Sequence, residues 1–227
     1  MTLLIVALAA FVGTHFLLSH PLRAPLVARL GPVGFQILYS LVAFATLGWA
    51  IHVYGGLEEV PLWTAGRGLY HPAALVMWLA SVLFVGSITP ANRALAGVPG
   101  SDRRPGGVLA ITRHPMMWSF ALWALVHGAL AGDPPTLALC GAVLLLALVG
   151  AAGQDAKKQA LDAGWAAYAS QTSYWPLGAQ LAGRRGWGDV WPGLWPVLGG
   201  TGFWLLMTWL HPSLMGAPVV GLWEWIA

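Results

Sequence analysis

The sequence predicts an all-α, polytopic membrane helix bundle of about six transmembrane helices, with both termini outside the cytoplasm. Three observations predict it. Of the 227 residues, 58% are hydrophobic and only 8% are charged, whereas soluble domains carry about a quarter charged residues. Six apolar runs approach the length needed to cross a bilayer. The lysines and arginines concentrate on one side of these runs, as they do on the cytoplasmic side of membrane proteins.

The six runs set the predicted spans, because a spanning helix needs about 20 mostly apolar residues. The predicted spans are about 2–19, 33–54, 73–90, 109–131, 135–153 and 193–211. The first is kept as a helix because it lacks the basic leading region and cleavage site of a signal peptide. Segment 214–227 is too short to span, and Trp223 and Trp225 favour an interfacial position. We predict a single domain over residues 1–227.

Basic residues give the orientation. Alternating the six spans puts three loops on one side: 20–32, 91–108 and 154–192. The basic residues of that side are Arg23, Arg29, Arg93, Arg103, Arg104, Lys157, Lys158, Arg184 and Arg185, with Arg113 at its boundary. The other side holds only Arg67, near Glu58 and Glu59. The positive-inside rule makes the first side cytoplasmic. Segment 154–175 has helical character and is expected to extend the fifth helix into the cytoplasm.

The composition also indicates where the protein is located and which partners it can have. We expect an integral protein of the bacterial inner membrane, in contact with the lipid bilayer. The net charge of +3 is small, so the basic residues serve topology and no nucleic acid is expected as a partner. A homo-oligomer is left open. Cys140 is the only cysteine, which excludes a disulfide within the chain and CxxC metal motifs.

Seven histidines stand out in so uncharged a chain. His15, His114 and His127 fall inside or at the edge of predicted spans, where ionisable groups are costly and mark function by default. Imidazole is a common axial ligand of haem iron, and two from different helices would hold haem b within a bundle. The alternative is that each only hydrogen-bonds a neighbouring helix. The others lie near span ends and are expected to be interfacial or capping residues: His20, His52, His71 and His211.

Helix geometry limits which histidines can share an iron. His114 and His127 are separated by 127 − 114 = 13 residues, which places them roughly 20 Å and 140° apart on one straight helix. They therefore cannot ligate the same iron. His15 and His127 straddle the membrane midplane with an offset of roughly 10 Å, which two imidazoles can bridge around a tilted haem. His15 with His114, near the cytoplasmic face, is the rival pairing.

Several motifs resemble those of the NnrU family. The central one is Ala-Ile-Thr-Arg-His-Pro-Met-Met-Trp at 110–118, followed by Leu-Trp-Ala-Leu-Val-His at 122–127 and Gly-Asp at 132–133. Further matches follow in family order: His15-Phe-Leu-Leu-Ser, His52-Val-Tyr-Gly-Gly and Leu210-His211-Pro-Ser-Leu-Met. The chain is identified as a member of this family, which includes membrane proteins of nitrite and nitric oxide metabolism. The 15-cis-zeta-carotene isomerases of plants and cyanobacteria also belong to it.

The resemblance implies a haem b protein and a site. In the isomerase branch the histidines matching His15 and His127 are the proposed axial ligands, so these two are the expected metal ligands. The alternative cysteine ligand of that branch is replaced by Ala124. His114 joins the two ligands as a candidate catalytic residue, and Arg113 with His114 is expected to bind a haem propionate or to position the helix start. Arg113 has the alternative role of a cytoplasmic anchor.

Three functions follow as alternatives. The leading one is a haem-dependent cis–trans isomerase of carotenoid biosynthesis, whose lipophilic polyene substrate enters from the bilayer. The second is a haem protein that supports nitrite or nitric oxide respiration in denitrification. The third rests on a resemblance to membrane methyltransferases related to isoprenylcysteine carboxyl methyltransferase. In that case a pocket for S-adenosylmethionine would be lined by His114, Asp155, Tyr168 and Arg113. The acidic pair of those enzymes is reduced in this sequence to Gln154-Asp155.

Overall fold

The computed structural model describes residues 1–58, 60–89, 91–94, 104–216 and 219, and within them all regular secondary structure is helical. The α-helices are α1 Thr2–Ser19, α2 Arg23–Tyr54, α3 Tyr70–Ser87, α4 Val108–Ile111, α5 Pro115–Ala131, α6 Pro134–Leu161, α7 Trp165–Ser170, α8 Gly178–Leu181 and α9 Leu194–Met215. Short 3₁₀ helices cover Arg67–Leu69 and Trp187–Val190. The predicted all-α membrane bundle is confirmed.

Six of these helices correspond to the six predicted spans. Four are long and apolar enough to cross a membrane: α1, α2, α3 with its preceding 3₁₀ turn, and α6. Helix α5 is apolar but has only 17 residues, and α9 has 22 residues that include several Gly, Pro and Trp. Many large apolar side chains face outward, among them Phe44 at 74% and Leu41 at 63% exposure. Such a surface is suited to lipid contact rather than to water.

The predicted span 109–131 is not one helix, which corrects its boundary. The chain leaves the helical conformation at Thr112, which is extended, and at His114. Pro115 explains the break, because proline disfavours the α conformation in the residue before it and is well suited to the first helical position. Hydrogen bonds hold the break open. The Arg113 amide donates to the Ser173 carbonyl at 2.8 Å, and the Thr112 hydroxyl donates to the Tyr174 carbonyl at 2.8 Å.

Other boundaries shift by less. Helix α2 begins at Arg23 rather than near 33, with a break at Gly31, whose φ of 70° lies in the left-handed region that favours glycine. The helix of the fifth predicted span continues into segment 154–175, because α6 runs from Pro134 to Leu161. The predicted interfacial segment 214–227 begins within α9, which ends at Met215. Glu59, Arg103, Trp223 and Trp225 lie outside the described residues.

The long helices form a row. Helix α1 packs against α2 and α6, α6 also packs against α5, α5 against α3, and α3 against α9. Leu4, Leu8 and Leu139 contribute to one buried cluster between α1 and α6, which includes Ala50 of α2. Val82 and Leu109 contribute to a second, between α3 and α4. Helix α6 therefore lies between the two helices that carry His15 and His127.

Candidate functional site

An apolar cavity of about 890 Å³ opens between α1, α2, α5 and α6. Phe11, Phe16, Phe35 and Leu146 contribute to its walls. Small-molecule sites have volumes of about 300 to 1,000 Å³ and are lined mostly by apolar and aromatic side chains with a few polar groups. The cavity has the size and the lining of a site for a lipophilic ligand.

His15 is a polar group within this wall. Its Nδ1 lies 2.7 Å from the Phe11 carbonyl oxygen, and its ring makes edge contacts with Phe11 and Tyr39. A carbonyl oxygen only accepts, so Nδ1 carries a proton, and in the neutral ring Nε2 then keeps its lone pair. Metal-binding histidines have this arrangement, with the second ring nitrogen donating to a backbone carbonyl or a carboxylate. His15 is thus oriented and protonated as a ligand would be.

The His127 ring makes the same kind of hydrogen bond to its own helix, but it lies outside the cavity lining. Its Nδ1 donates to the Trp123 carbonyl at 2.9 Å, and its ring stacks on Trp123 with centroids 4.4 Å apart. The His211 ring of α9 stacks at 6.4 Å. His15 belongs to the cavity lining and His127 does not, among the residues the structure describes. The structure brings His127 beside His211, and its role as the second axial ligand stays a prediction.

Two further side chains of ligand type reach the cavity. Met117 of α5 and His20 at the end of α1 both contribute to its lining. His20 Nδ1 lies 2.9 Å from the Ser19 hydroxyl. The sequence pattern gave no reason to consider Met117, because a methionine in an apolar helix is usually a packing residue.

Arg113, His114 and Asp155 form a separate cluster at the α4–α5 break. The Asp155 carboxylate accepts from Arg113 Nε at 2.9 and 3.0 Å and from Arg113 Nη2. His114 Nε2 lies 2.5 Å from Asp155 Oδ1. The His114 side chain is 1% exposed and the Arg113 side chain 15%, so this carboxylate is the internal partner of two groups that are largely removed from water. The predicted roles of Arg113 and His114 at a propionate remain untested, and here both groups have an internal partner.

Tyr168 lies close to this cluster, within electrostatic reach of Arg113 and Asp155. Burial raises the pKa of its hydroxyl well above the ordinary value, so the group stays protonated. Neither the Tyr168 hydroxyl nor His114 Nδ1 has a hydrogen-bond partner in the described part of the chain. The four residues of the methyltransferase alternative are therefore grouped, although Asp155 already bonds to two of the others.

Three cations stand at one end of the cavity: Arg23, Lys157 and Lys158. In the sequence these three residues indicate only the cytoplasmic side. Adjacent lysines on a helix extension are common, and only the packing of α1 against both α2 and α6 brings Arg23 and the lysines to one cavity.

The family assignment follows from a comparison with known protein families. The family described as NnrU protein matches residues 3–219. No curated protein and no solved structure matches the chain. The match spans nearly the whole sequence, including the Arg113-His114 motif, the cavity and the helices that carry all seven histidines, and the chain therefore belongs to the NnrU family.

Proposed function

We propose that this protein is a membrane haem b protein that isomerises a double bond of a lipophilic polyene, as the carotenoid isomerases of its family do. One observation carries the proposal: the His15 imidazole lines an apolar cavity between membrane helices with Nδ1 held by a carbonyl and Nε2 left as an acceptor. The resemblance to the isomerase branch adds the cofactor and the substrate class.

The residues of the cavity suit a haem. His15 would supply a nitrogen ligand, and aromatic and aliphatic walls would provide the low-polarity surroundings that a porphyrin requires in a helix bundle. His127, Met117 and His20 are the candidates for a second ligand. His127 is implied by the family resemblance, whereas Met117 and His20 follow from the cavity lining.

The protein's own contribution is binding, orientation and exclusion of water. The phenylalanines beside His15 give a conjugated chain an apolar surface to lie against, and the Phe11 carbonyl fixes the plane of the imidazole. A substrate dissolved in the bilayer would reach the cavity without crossing water. Bound haem would supply an electron-rich metal centre able to polarise a conjugated chain and lower its barrier to rotation.

The absorption spectrum of protein purified after haem-replete expression tests the cofactor. We expect a Soret band in the wild type, its loss in His15→Ala, and its retention in His52→Ala, an exposed histidine outside the cavity. Loss in His127→Ala, Met117→Leu or His20→Ala identifies the second ligand. A wild type without a Soret band, or an unchanged band in His15→Ala, contradicts the proposal.

The isomer composition of a poly-cis carotene in cells that express the protein tests the reaction. We expect conversion by the wild type and none by His15→Ala. An unchanged isomer profile with the Soret band intact would reject isomerisation and favour the nitric oxide or nitrite role. Tight binding of S-adenosylhomocysteine, lost in Tyr168→Phe, would instead favour methyl transfer at the Arg113 cluster.

A further inference from the structure

Arg23, Lys157 and Lys158 lie at the boundary between two cavities. Arg23 is the first residue of α2, and the two lysines are in the last turns of α6. All three line the apolar cavity of about 890 Å³, and all three also line a smaller one of about 320 Å³. They therefore form a basic rim where the apolar cavity ends, which we call the basic mouth.

The nearby carboxylates are committed to other groups. Asp162 accepts from Arg93 Nη1 at 2.8 and 3.1 Å and from the Gly164 amide at 3.0 Å. Asp155 is bonded to Arg113 and His114. Asp162 also lines the smaller cavity and attracts Lys158, but its hydrogen bonds go to Arg93 and to the Gly164 amide.

Like charges meet at the basic mouth. Arg23 acts on both lysines with the same sign, and Lys158 acts on Lys157. The Arg23 guanidinium also lies 5.7 Å from the centroid of the Phe35 ring, in the wall of the apolar cavity. Cations held together beside an apolar chamber repel one another, and an anion bound among them would offset that repulsion.

We infer that the basic mouth binds the acidic groups of an amphiphile whose apolar body occupies the cavity. Guanidinium and ammonium groups are the usual protein partners of carboxylate and phosphate. Two sources present this chemistry at the end of an apolar body: the two propionates of a haem, and the phosphate headgroup of an anionic lipid. Binding of haem in the cavity is itself the function proposed above, so the acidic groups are tested separately from the macrocycle.

Haem and haem dimethyl ester separate the two contributions, because the ester keeps the macrocycle but has no carboxylates. Each is titrated into wild-type protein, into the double variant Lys157→Gln/Lys158→Gln, and into Arg23→Gln. Arg29→Gln is the matched control, since Arg29 belongs to the same first segment of α2 but does not line the cavity. Phosphatidylglycerol and phosphatidylcholine nanodiscs test the headgroup, read as lipid retained after purification.

For the haem source, we expect Arg23→Gln to bind haem about ten-fold more weakly, the loss of roughly one charged hydrogen bond, and the double variant to bind haem at least as weakly. Binding of the ester should not change, which also shows that the variants are folded. For the lipid source, haem binding is unchanged and retention of phosphatidylglycerol over phosphatidylcholine is lost. If the variants match Arg29→Gln in both measurements, the inference is wrong.

A wild type that binds neither haem nor its ester would refute the proposed cofactor alone, because retention of phosphatidylglycerol still reports on the basic mouth. If the double variant does not fold, Lys157→Gln and Lys158→Gln are measured singly. If the variants bind haem and haem dimethyl ester more weakly by the same factor, the substitutions act through the cavity walls. That result would also contradict the inference about the basic mouth.

Discussion

His15 and His127 are held by the same local device, a ring Nδ1 that donates to the carbonyl four residues earlier on its helix. Any helical histidine with the right side-chain rotamer can make this bond, so the sequence alone identifies both residues equally well. Their surroundings differ, because His15 meets the cavity and His127 meets Trp123 and His211. The surroundings depend on which helices are neighbours.

At the Arg113 cluster, replacing one charged group tests how much the fold around the break between α4 and α5 depends on that group. Asp155→Asn keeps the shape of the side chain but removes the negative charge that the Arg113 guanidinium faces, and it changes the oxygen that His114 Nε2 contacts. Breaking a buried pair costs about 3–5 kcal/mol. Because the Asp155 side chain is 21% exposed, we expect a loss of about 2–3 kcal/mol of unfolding free energy, measured by denaturant unfolding in micelles.

The control for this variant is Arg104→Gln. Arg104 is 72% exposed and lies 3.7 Å from Asp189, and such surface pairs contribute about 0–1 kcal/mol. An equal effect of the two substitutions would show that the Arg113–His114–Asp155 cluster does not stabilise the fold.

Among the helices, α6 has an N-terminal side-chain cap that can be recognised in the sequence. Asp133 precedes Pro134 and Pro135, and its carboxylate accepts from the Thr136 amide at 2.8 Å. An acidic residue before a proline at the first helical turn is a typical helix start. The preceding Gly132 has a φ of +68°, and a β-carbon there would lie 2.7 Å from the Trp63 carbonyl oxygen.

We expect Asp133→Ala to destabilise the protein by about 1 kcal/mol, the usual contribution of such a cap. Asp133→Ser retains an acceptor and should lose less. Thermal unfolding of both variants beside the wild type measures the difference. A Ser variant no more stable than the Ala variant would mean that the capping bond is not what stabilises the start of α6.

The break between α4 and α5 shows the limit of hydropathy as a guide. The run 109–131 is apolar nearly throughout, apart from Thr112-Arg113-His114, and its hydropathy predicts one span. Pro115 accounts for the local break, and hydrogen bonds with segment 173–177 hold the break open. Those partners lie about 60 residues away in sequence, so no local pattern could indicate them.

For the whole molecule, the distribution of lysine and arginine predicts that the C-terminal ends of α1, α3 and α6 face the cytoplasm. Cys140 is the only cysteine of the chain. The variant Cys140→Ala therefore has no thiol, and a single reporter cysteine can be introduced into it. We expect Thr64→Cys to react with a membrane-impermeant thiol reagent on intact cells or spheroplasts, and Ala166→Cys to react only after permeabilisation. Both positions are exposed in the structure. The opposite labelling pattern would reverse the orientation.

The sequence by itself determined the all-α membrane class, the family and the approximate helices, because hydrophobic length and local motifs are properties of continuous segments. It also singled out His15, His114, His127 and Arg113. Only the tertiary structure decided their neighbours: the row of helices gave His15 a cavity, gave Arg113 and His114 the carboxylate of Asp155, and brought Arg23 to Lys157 and Lys158. The physical reason is that a helix fixes which side chains share its own faces, while contacts between helices depend on packing across long stretches of chain.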